Sequence, residues 1–255
     1  MTYDSLIEHY RYFLKDSVRK TIDFSQTDQS RGKSPPPIEK SFDPNAARII
    51  ELPARHTWTG HMEVGLISAI ENRKSWRHFS RTPLTLEELS FLLWATQGIR
   101  EHIDEAHALR TVPSAGARHA LETYLCILTI EGMDSGFYRY LPLEHQLIVE
   151  YHEPRAAEKL IRATFGQSFI GTASVVFIWT TIPYRMEWRY GIAAHKVIAI
   201  DAGHVCQNLY LSCEAIGAGT CAIGAYDQEA MDHLLRVDGK DEFTIYLAPV
   251  GKIAL

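Results

Sequence analysis

The chain has 255 residues, 46% of them hydrophobic and 22% charged, with a formal net charge of -5 at pH 7. That composition belongs to a folded globular chain and excludes a disordered or fibrous one, while the acidic balance argues against a general nucleic-acid or membrane-surface binder, which needs a basic face. No run reaches the ~18 consecutive apolar residues of a membrane span. The start "MTYDSLIEHYRYF" carries acids where a signal peptide has a basic and then an apolar region, so the expected location is cytoplasmic.

Residues 1–60 read as an extension. "DSLIEHYRYFL" has apolar residues at helical spacing, and the polar run after it ends in Pro35, Pro36 and Pro37, which bar regular helix or central strand and predict a wrapping, polyproline-like arm. From residue 61 to 255 the pattern is compact. Val64, Ile67 and Ile70 predict a helix that runs into the basic stretch "NRKSWRHF". "TLEELSFLLWATQG" predicts a second helix, with Thr85 and Glu88 as a capping box, Gly98 as its stop and an apolar face to bury. "LETYLCILTI" and "ASVVFIWT" predict buried strands, and "GFYRYLPLEHQLIVEY" predicts two strands joined by a turn over Pro142 to His145. "AHKVIAIDAGHVCQNLYLSCEAIG" is apolar on most sides, which predicts a helix ending at Gly217 and buried in the core or at a subunit interface; "DEFTIYLAPVGK" supplies a last strand. Helices and strands without regular βαβ alternation point to the α+β class.

Several chemistries are set aside on pattern. Cys126, Cys206, Cys213 and Cys221 form no C-x-x-C pair and sit in apolar segments, as reduced, buried thiols do. No G-x-x-x-x-G-K-[ST] occurs, and Gly217 and Gly219 follow a helix, the reverse of a dinucleotide fingerprint; they are either a helix stop with a turn or the support of a close backbone approach. Ser114 in "VPSAGARH" lacks a G-x-S-x-G setting. Asp201 and His204 share a helix face but lack a third ligand, so they are expected to satisfy each other rather than a metal.

The basic cluster has two readings. Arg73, Lys74 and Arg77 around Ser75 either oppose the dipole at a helix end, or hold a phosphate monoester with paired guanidinium forks and a hydroxyl. In the second reading Arg73 and Arg77, four apart, project on one side if the helix persists.

Four segments in order then resemble the FMN-dependent nitroreductase superfamily: "NRKSWRHF" its flavin-phosphate segment, "PSAGARHALETYL" its P-S-A-G segment, "IGAGTCAIGAYD" the run beside the flavin ring, and "LAPVGK" its closing G-[KR]. The arm "SPPPIEKSFDPNAARIIELP" and "DAGHVCQNL" resemble the SagB-type branch, which includes thiazoline and oxazoline dehydrogenases acting on peptides. The resemblance implies a nitroreductase-like α+β fold, with a central, mainly antiparallel sheet flanked by helices. It also implies an interlocked homodimer with FMN at its interface, residues 61–255 being the FMN-binding domain. By position it implies Arg73, Lys74, Ser75 and Arg77 at the phosphate and ribityl chain, with Lys252 as a further cation. Pro113, Ser114, Ala115 and Gly116 are implied at the ring from the other subunit. Ile223 and Gly224 are implied along its edge, the Gly224 amide being a donor to flavin N5.

One departure stands out: where the azoline dehydrogenases carry a Lys-Tyr pair for proton handling, this chain has Arg189 and Tyr190. Arginine stays protonated and is a poor general base, so it orients or stabilises an anion while Tyr190 remains a proton or hydrogen-bond donor; alternatively both belong to an aromatic-rich loop that packs over the flavin. The implied function is reduction of a small nitro- or quinone-like acceptor with NAD(P)H as electron donor. The alternatives are oxidation of azoline rings in a modified peptide and, from another class, a non-catalytic scaffold subunit of a biosynthetic complex.

Overall fold

The computed structural model describes residues 2–59, 62–104 and 106–254. Strands β1 (Arg48–Glu51), β2 (Ile99–Asp104), β3 (His107–Arg110), β4 (Leu121–Ile127), β5 (Gly136–Leu141), β6 (Gln146–His152), β7 (Val175–Thr181), β8 (Ala218–Thr220) and β9 (Phe243–Lys252) are joined by helices α1 (Tyr3–Leu14), α2 (Leu66–Asn72), α3 (Leu86–Gln97), α4 (Ala156–Ala163), α5 (Tyr184–Tyr190), α6 (Ala194–Ala215) and α7 (Gln228–Leu235). Seven strands form one sheet in the order β1-β6-β5-β4-β7-β9-β8, every pairing antiparallel, and β2 and β3 form a separate hairpin.

The expected strands are central because they are apolar on both faces. All seven residues of β4 and all seven of β7 are buried, as strands covered by helices on two sides must be. On one face Leu121, Leu125, Phe177 and Trp179 pack with α3 and α6; on the other Tyr124, Cys126, Val176 and Ile178 pack with α4 and α7. The predicted capping box is present: the Thr85 side chain accepts from the Glu88 amide, and Glu88 accepts from the Thr85 amide. The four cysteines are free and buried.

The N-terminal arm is less of an appendage than its composition suggests. Residues 48–51 become β1, the edge strand beside β6, and residues 36–41 lie across the polar part of the sheet. Carbonyls of Pro36, Ile38 and Lys40 accept from the buried guanidiniums of Arg118, Arg110 and Arg139. Buried Glu122 holds the arm from the other side, accepting from the Lys40 amide at 2.9 Å and from Arg185 at 2.5 Å. The domain boundary expected between residues 60 and 61 falls outside the described residues. Ahead of the arm, α1 buries none of its own residues.

Candidate active site

The basic stretch differs from its prediction in one respect. α2 stops at Asn72, so the helix does not persist through Arg77. Long-range pairing ends it: Ser75 bridges to Thr220 of β8 in parallel, the Trp76 amide donates to the Thr220 carbonyl at 2.9 Å, and the Ser80 amide donates to the Lys252 carbonyl at 2.8 Å. In a run paired like a strand, side chains alternate, and the two-residue period puts Arg73, Ser75 and Arg77 on one side. Arg73 and Ser75 both meet Tyr210 of α6, and Arg77 and Ser75 both bear on Cys221. Lys74 turns the other way, its ammonium 4.0 Å from the Trp76 ring centre.

Among the described residues, Arg73, Lys74 and Arg77 form no ion pair. Their charges rest instead over rings, Arg73 at 5.4 Å from Tyr210 and Arg77 at 5.9 Å from Phe169, an arrangement that supports a cation while leaving its N–H donors unused. Three cations without an ion pair among the described residues thus stand on one short run of a chain with net negative charge, with Glu214 near enough to feel Arg73 and Lys74.

The loop after α6 completes this wall. Gly217, at φ +60, follows the helix end, and Gly219 allows the close approach the sequence left open: a Cβ there would lie 2.5 Å from the Trp76 ring. Ile223 is buried and exchanges both backbone hydrogen bonds with Leu247, whereas Gly224, next along, is exposed and its amide meets no acceptor among the described residues. Lys252 pairs with Ala218 across the sheet, but its ammonium is turned to Glu88 and to the Ile216 carbonyl at the end of α6, leaving one of its three donors.

The second group of predicted residues gathers around the other half of α6. Gly116 (φ +59), Ala117 (φ 52) and His119 (φ 46) are left-handed, so the loop after Pro113 and Ser114 carries strain at two non-glycine residues, a feature that clusters at functional sites. Ser114 Oγ accepts from the His119 amide at 3.0 Å. Tyr190 and Arg189 lie against this loop: a Cβ on Gly116 would be 2.6 Å from the Tyr190 hydroxyl and 3.1 Å from Arg189 Nε. Burial holds His119 down to about 3, so its ring is neutral at ordinary pH.

Asp201 and His204 do not satisfy each other as expected. Their nearest atoms are 4.0 Å apart, His204 is about half exposed, and buried Asp201 leaves Oδ2 without a partner. The reason is position: Asp201 points under the 113–116 loop, where burial raises its carboxyl against the pull of the Ser114 hydroxyl and the Ala115 amide. Asp201 and Tyr210, which anchor the two groups, are nine residues apart on α6, about 13 Å at 1.5 Å per residue. The residue that sequence reading missed is Tyr210; a tyrosine in a helix otherwise read as apolar gives no signal until its hydroxyl is seen between Ser75 and the Ala222 amide.

The nitroreductase family pattern matches residues 70–252. The chain belongs to the nitroreductase family. It is 33% identical over 190 residues to a protein of Methanocaldococcus jannaschii that bears the name nitroreductase, an alignment covering 74% of this chain and 92% of that one. A crystal structure described as a nitroreductase of Ralstonia eutropha superposes with a TM-score of 0.67 at 26% identity, covering 88% of this chain and 96% of that one. A chain of the E. coli microcin synthetase McbBCD complex, solved with truncated pro-MccB17 bound, shares the fold with a TM-score of 0.61 at 18% identity, over 92% of this chain and 83% of that one. This nitroreductase-family protein is therefore an oxidoreductase with the family's α+β fold.

Proposed function

We propose that the chain is an FMN-dependent oxidoreductase that works as a homodimer and uses NAD(P)H to reduce a small nitro- or quinone-like acceptor in the cytoplasm. The observation that carries this reading is the run Arg73–Arg77, which presents the Arg73 and Arg77 guanidiniums, free of ion pairs among the described residues, with the Ser75 hydroxyl between them. Those donors fit a phosphate dianion, which takes paired forks and a hydroxyl together. Bound there, FMN supplies the two-electron chemistry, and the protein supplies position and electrostatics.

In this reading Arg73 and Arg77 grip the phosphate and Ser75 donates a hydrogen bond, while Lys74, turned to the other side of the run, and the last Lys252 donor add charge only at longer range. Ile223, tied to Leu247 through both backbone hydrogen bonds, would hold the chain so that the Gly224 amide, which meets no acceptor among the described residues, could serve as a donor to flavin N5. Pro113, Ser114, Ala115 and Gly116 of a second copy approach the ring with backbone rather than bulk. Tyr190 donates a proton or hydrogen bond at the substrate, and Arg189, always charged, stabilises negative charge there.

Exposed apolar surface supports the dimer. Leu66, Ile67 and Ile70 of α2 are 67%, 80% and 57% exposed, and Ile200 of α6 is 48% exposed. Between these helices lies a cleft of about 700 Å3 lined by Val64, Leu66, Ala69, Phe91, Leu211 and Ala215. It includes none of the basic run, so it suits a partner helix better than the cofactor.

The purified protein should be yellow or take up one FMN per chain, and Arg73→Ala/Arg77→Ala should weaken FMN binding by at least roughly a hundredfold, at 1.5–3 kcal/mol for each charge-assisted contact. Full FMN occupancy in that double variant would refute the phosphate assignment. Anaerobic bleaching by NAD(P)H tests the reductase. A second reading, dehydrogenation of azoline rings in a peptide, draws on the fold likeness to the microcin synthetase chain, which extends over 92% of this chain and so includes most of the arm. Turnover of an azoline peptide without bleaching by NAD(P)H would favour it. A colourless protein indifferent to FMN would favour a scaffold subunit.

A further inference from the structure

Tyr210 lies near the C-terminal end of α6, 9% exposed, with its hydroxyl between two groups. The Ala222 amide donates to it at 2.8 Å, and Ser75 Oγ lies 2.9 Å away. The Ala222 amide can only donate, so the tyrosine oxygen is the acceptor there, and among the described residues Ser75 Oγ is the acceptor placed for the tyrosine proton, which sets the direction of the second bond. Serine has one proton of its own. With Ser75 Oγ accepting from Tyr210, that proton is left to point away, toward the side on which Arg73 and Arg77 stand. The neighbouring Cys221 thiol is a weak competitor for it.

The same side chain acts twice more. Its ring carries the Arg73 guanidinium at 5.4 Å, and its hold on the Ala222 amide fixes the chain two residues before Gly224. From these three contacts we infer that Tyr210 is the positioning residue of a phosphate-monoester site: it turns the Ser75 hydroxyl into an outward donor and sets Arg73 beside it. This rests on the FMN reading and adds to it a residue that does not itself touch the ligand.

The test compares FMN with riboflavin, which differ by the phosphate, in Kd measurements by flavin fluorescence. Tyr210→Phe keeps the ring under Arg73 and removes the hydroxyl. It should weaken FMN about 10- to 150-fold, the range of one hydrogen bond to a charged group, and weaken riboflavin by a much smaller factor, the part that passes through the Ala222 amide. Because Tyr210 reaches the phosphate through the Ser75 proton, Ser75→Ala/Tyr210→Phe should lose no more FMN affinity beyond Ser75→Ala than Tyr210→Phe loses for riboflavin. Equal weakening of FMN and riboflavin, unchanged FMN affinity, or strictly additive losses would each overturn the proposal. Should Tyr210→Phe fail to fold, exposed Ser75 carries the test: Ser75→Thr must keep the preference for FMN and Ser75→Ala must lose most of it, and the reverse result overturns the proposal. A wild-type protein that binds FMN no better than riboflavin would instead remove the phosphate reading itself.

Discussion

Gly116→Ala tests whether the strained loop and the Arg189–Tyr190 pair form one unit. Gly116 sits at φ 59 and ψ 23, and an alanine there costs about 1 kcal/mol in backbone conformation alone. Packing adds to this. The new Cβ would stand 2.6 Å from the Tyr190 hydroxyl and 3.1 and 3.2 Å from Arg189 Nε and Cδ. Contacts between such atoms are comfortable near ~3.5 Å, so the hydroxyl must withdraw by nearly 1 Å, an overpacking that costs about 1–3 kcal/mol, while the flexible arginine gives way more readily. The sum, about 2–4 kcal/mol, should lower the midpoint of thermal unfolding by roughly 5–12 °C in a chain of this size. Tyr190→Phe deletes the clashing atom, so in Gly116→Ala/Tyr190→Phe the loss should shrink toward the backbone part, with an interaction energy of about 1–2 kcal/mol. Unfolding of the four proteins at one fixed concentration measures it. Additivity within about 0.5 kcal/mol would refute the contact between loop and pair.

Two other perturbations probe the frame behind the site. Glu122→Ala leaves Arg185, and in part Arg139, buried without their carboxylate, and removes the acceptor of the Lys40 amide; breaking one partner of such a pair costs about 3–5 kcal/mol, and protease should cut the arm near residues 36–41 sooner than in the wild type. A loss under about 1 kcal/mol with no change in cleavage would remove Glu122 as the arm's anchor. Burial pushes the Glu39 carboxyl up to about 7, against a hydrogen bond from the Leu143 amide. A raised carboxyl contributes stability that is full below its unfolded value, near 4.5, and is lost as pH rises through about 7. Discounted for its partial exposure, this amounts to about 1–2 kcal/mol, so Glu39→Gln should be more stable than wild type at pH 8, indistinguishable at pH 4.5, and flatter between. Parallel pH profiles would rule Glu39 out as the titrating group.

How much was legible follows from how local each cause is. The Thr85–Glu88 cap involves residues three apart, and β4 and β7 announce themselves as unbroken apolar runs, so these elements could be read directly. β1 could not be. "RIIE" becomes a strand because β6, about 100 residues on, offers an edge, and the β2–β3 hairpin is built from the charged stretches "IREHID" and "HALR" that show no strand pattern. Where α2 ends stays open in the sequence for the same reason: nothing between Asn72 and Arg77 forbids another turn of helix, and Thr220 decides the matter from the far side of the chain.

The candidate site sharpens that contrast. Helical spacing brings Arg73 and Arg77 to one side if the helix persists, with Ser75 between them; the three are together, though by strand-like alternation. The grouping survived because the spacings 73, 75 and 77 serve either geometry at their ends and the extended one at all three. Asp201 had no such protection. Paired by helical spacing with His204, it turns instead to a loop that the chain reaches far earlier, at Ser114 and Ala115. Charge and hydroxyl content were therefore readable one segment at a time, whereas the supports that aim them, Tyr210 beneath Ser75 and Asp201 beneath Ser114, exist only because α6 passes under both segments. A search for such supports in other chains would start from polar side chains on the most apolar helix, since a hydroxyl or carboxylate buried there must find its partner in another part of the fold.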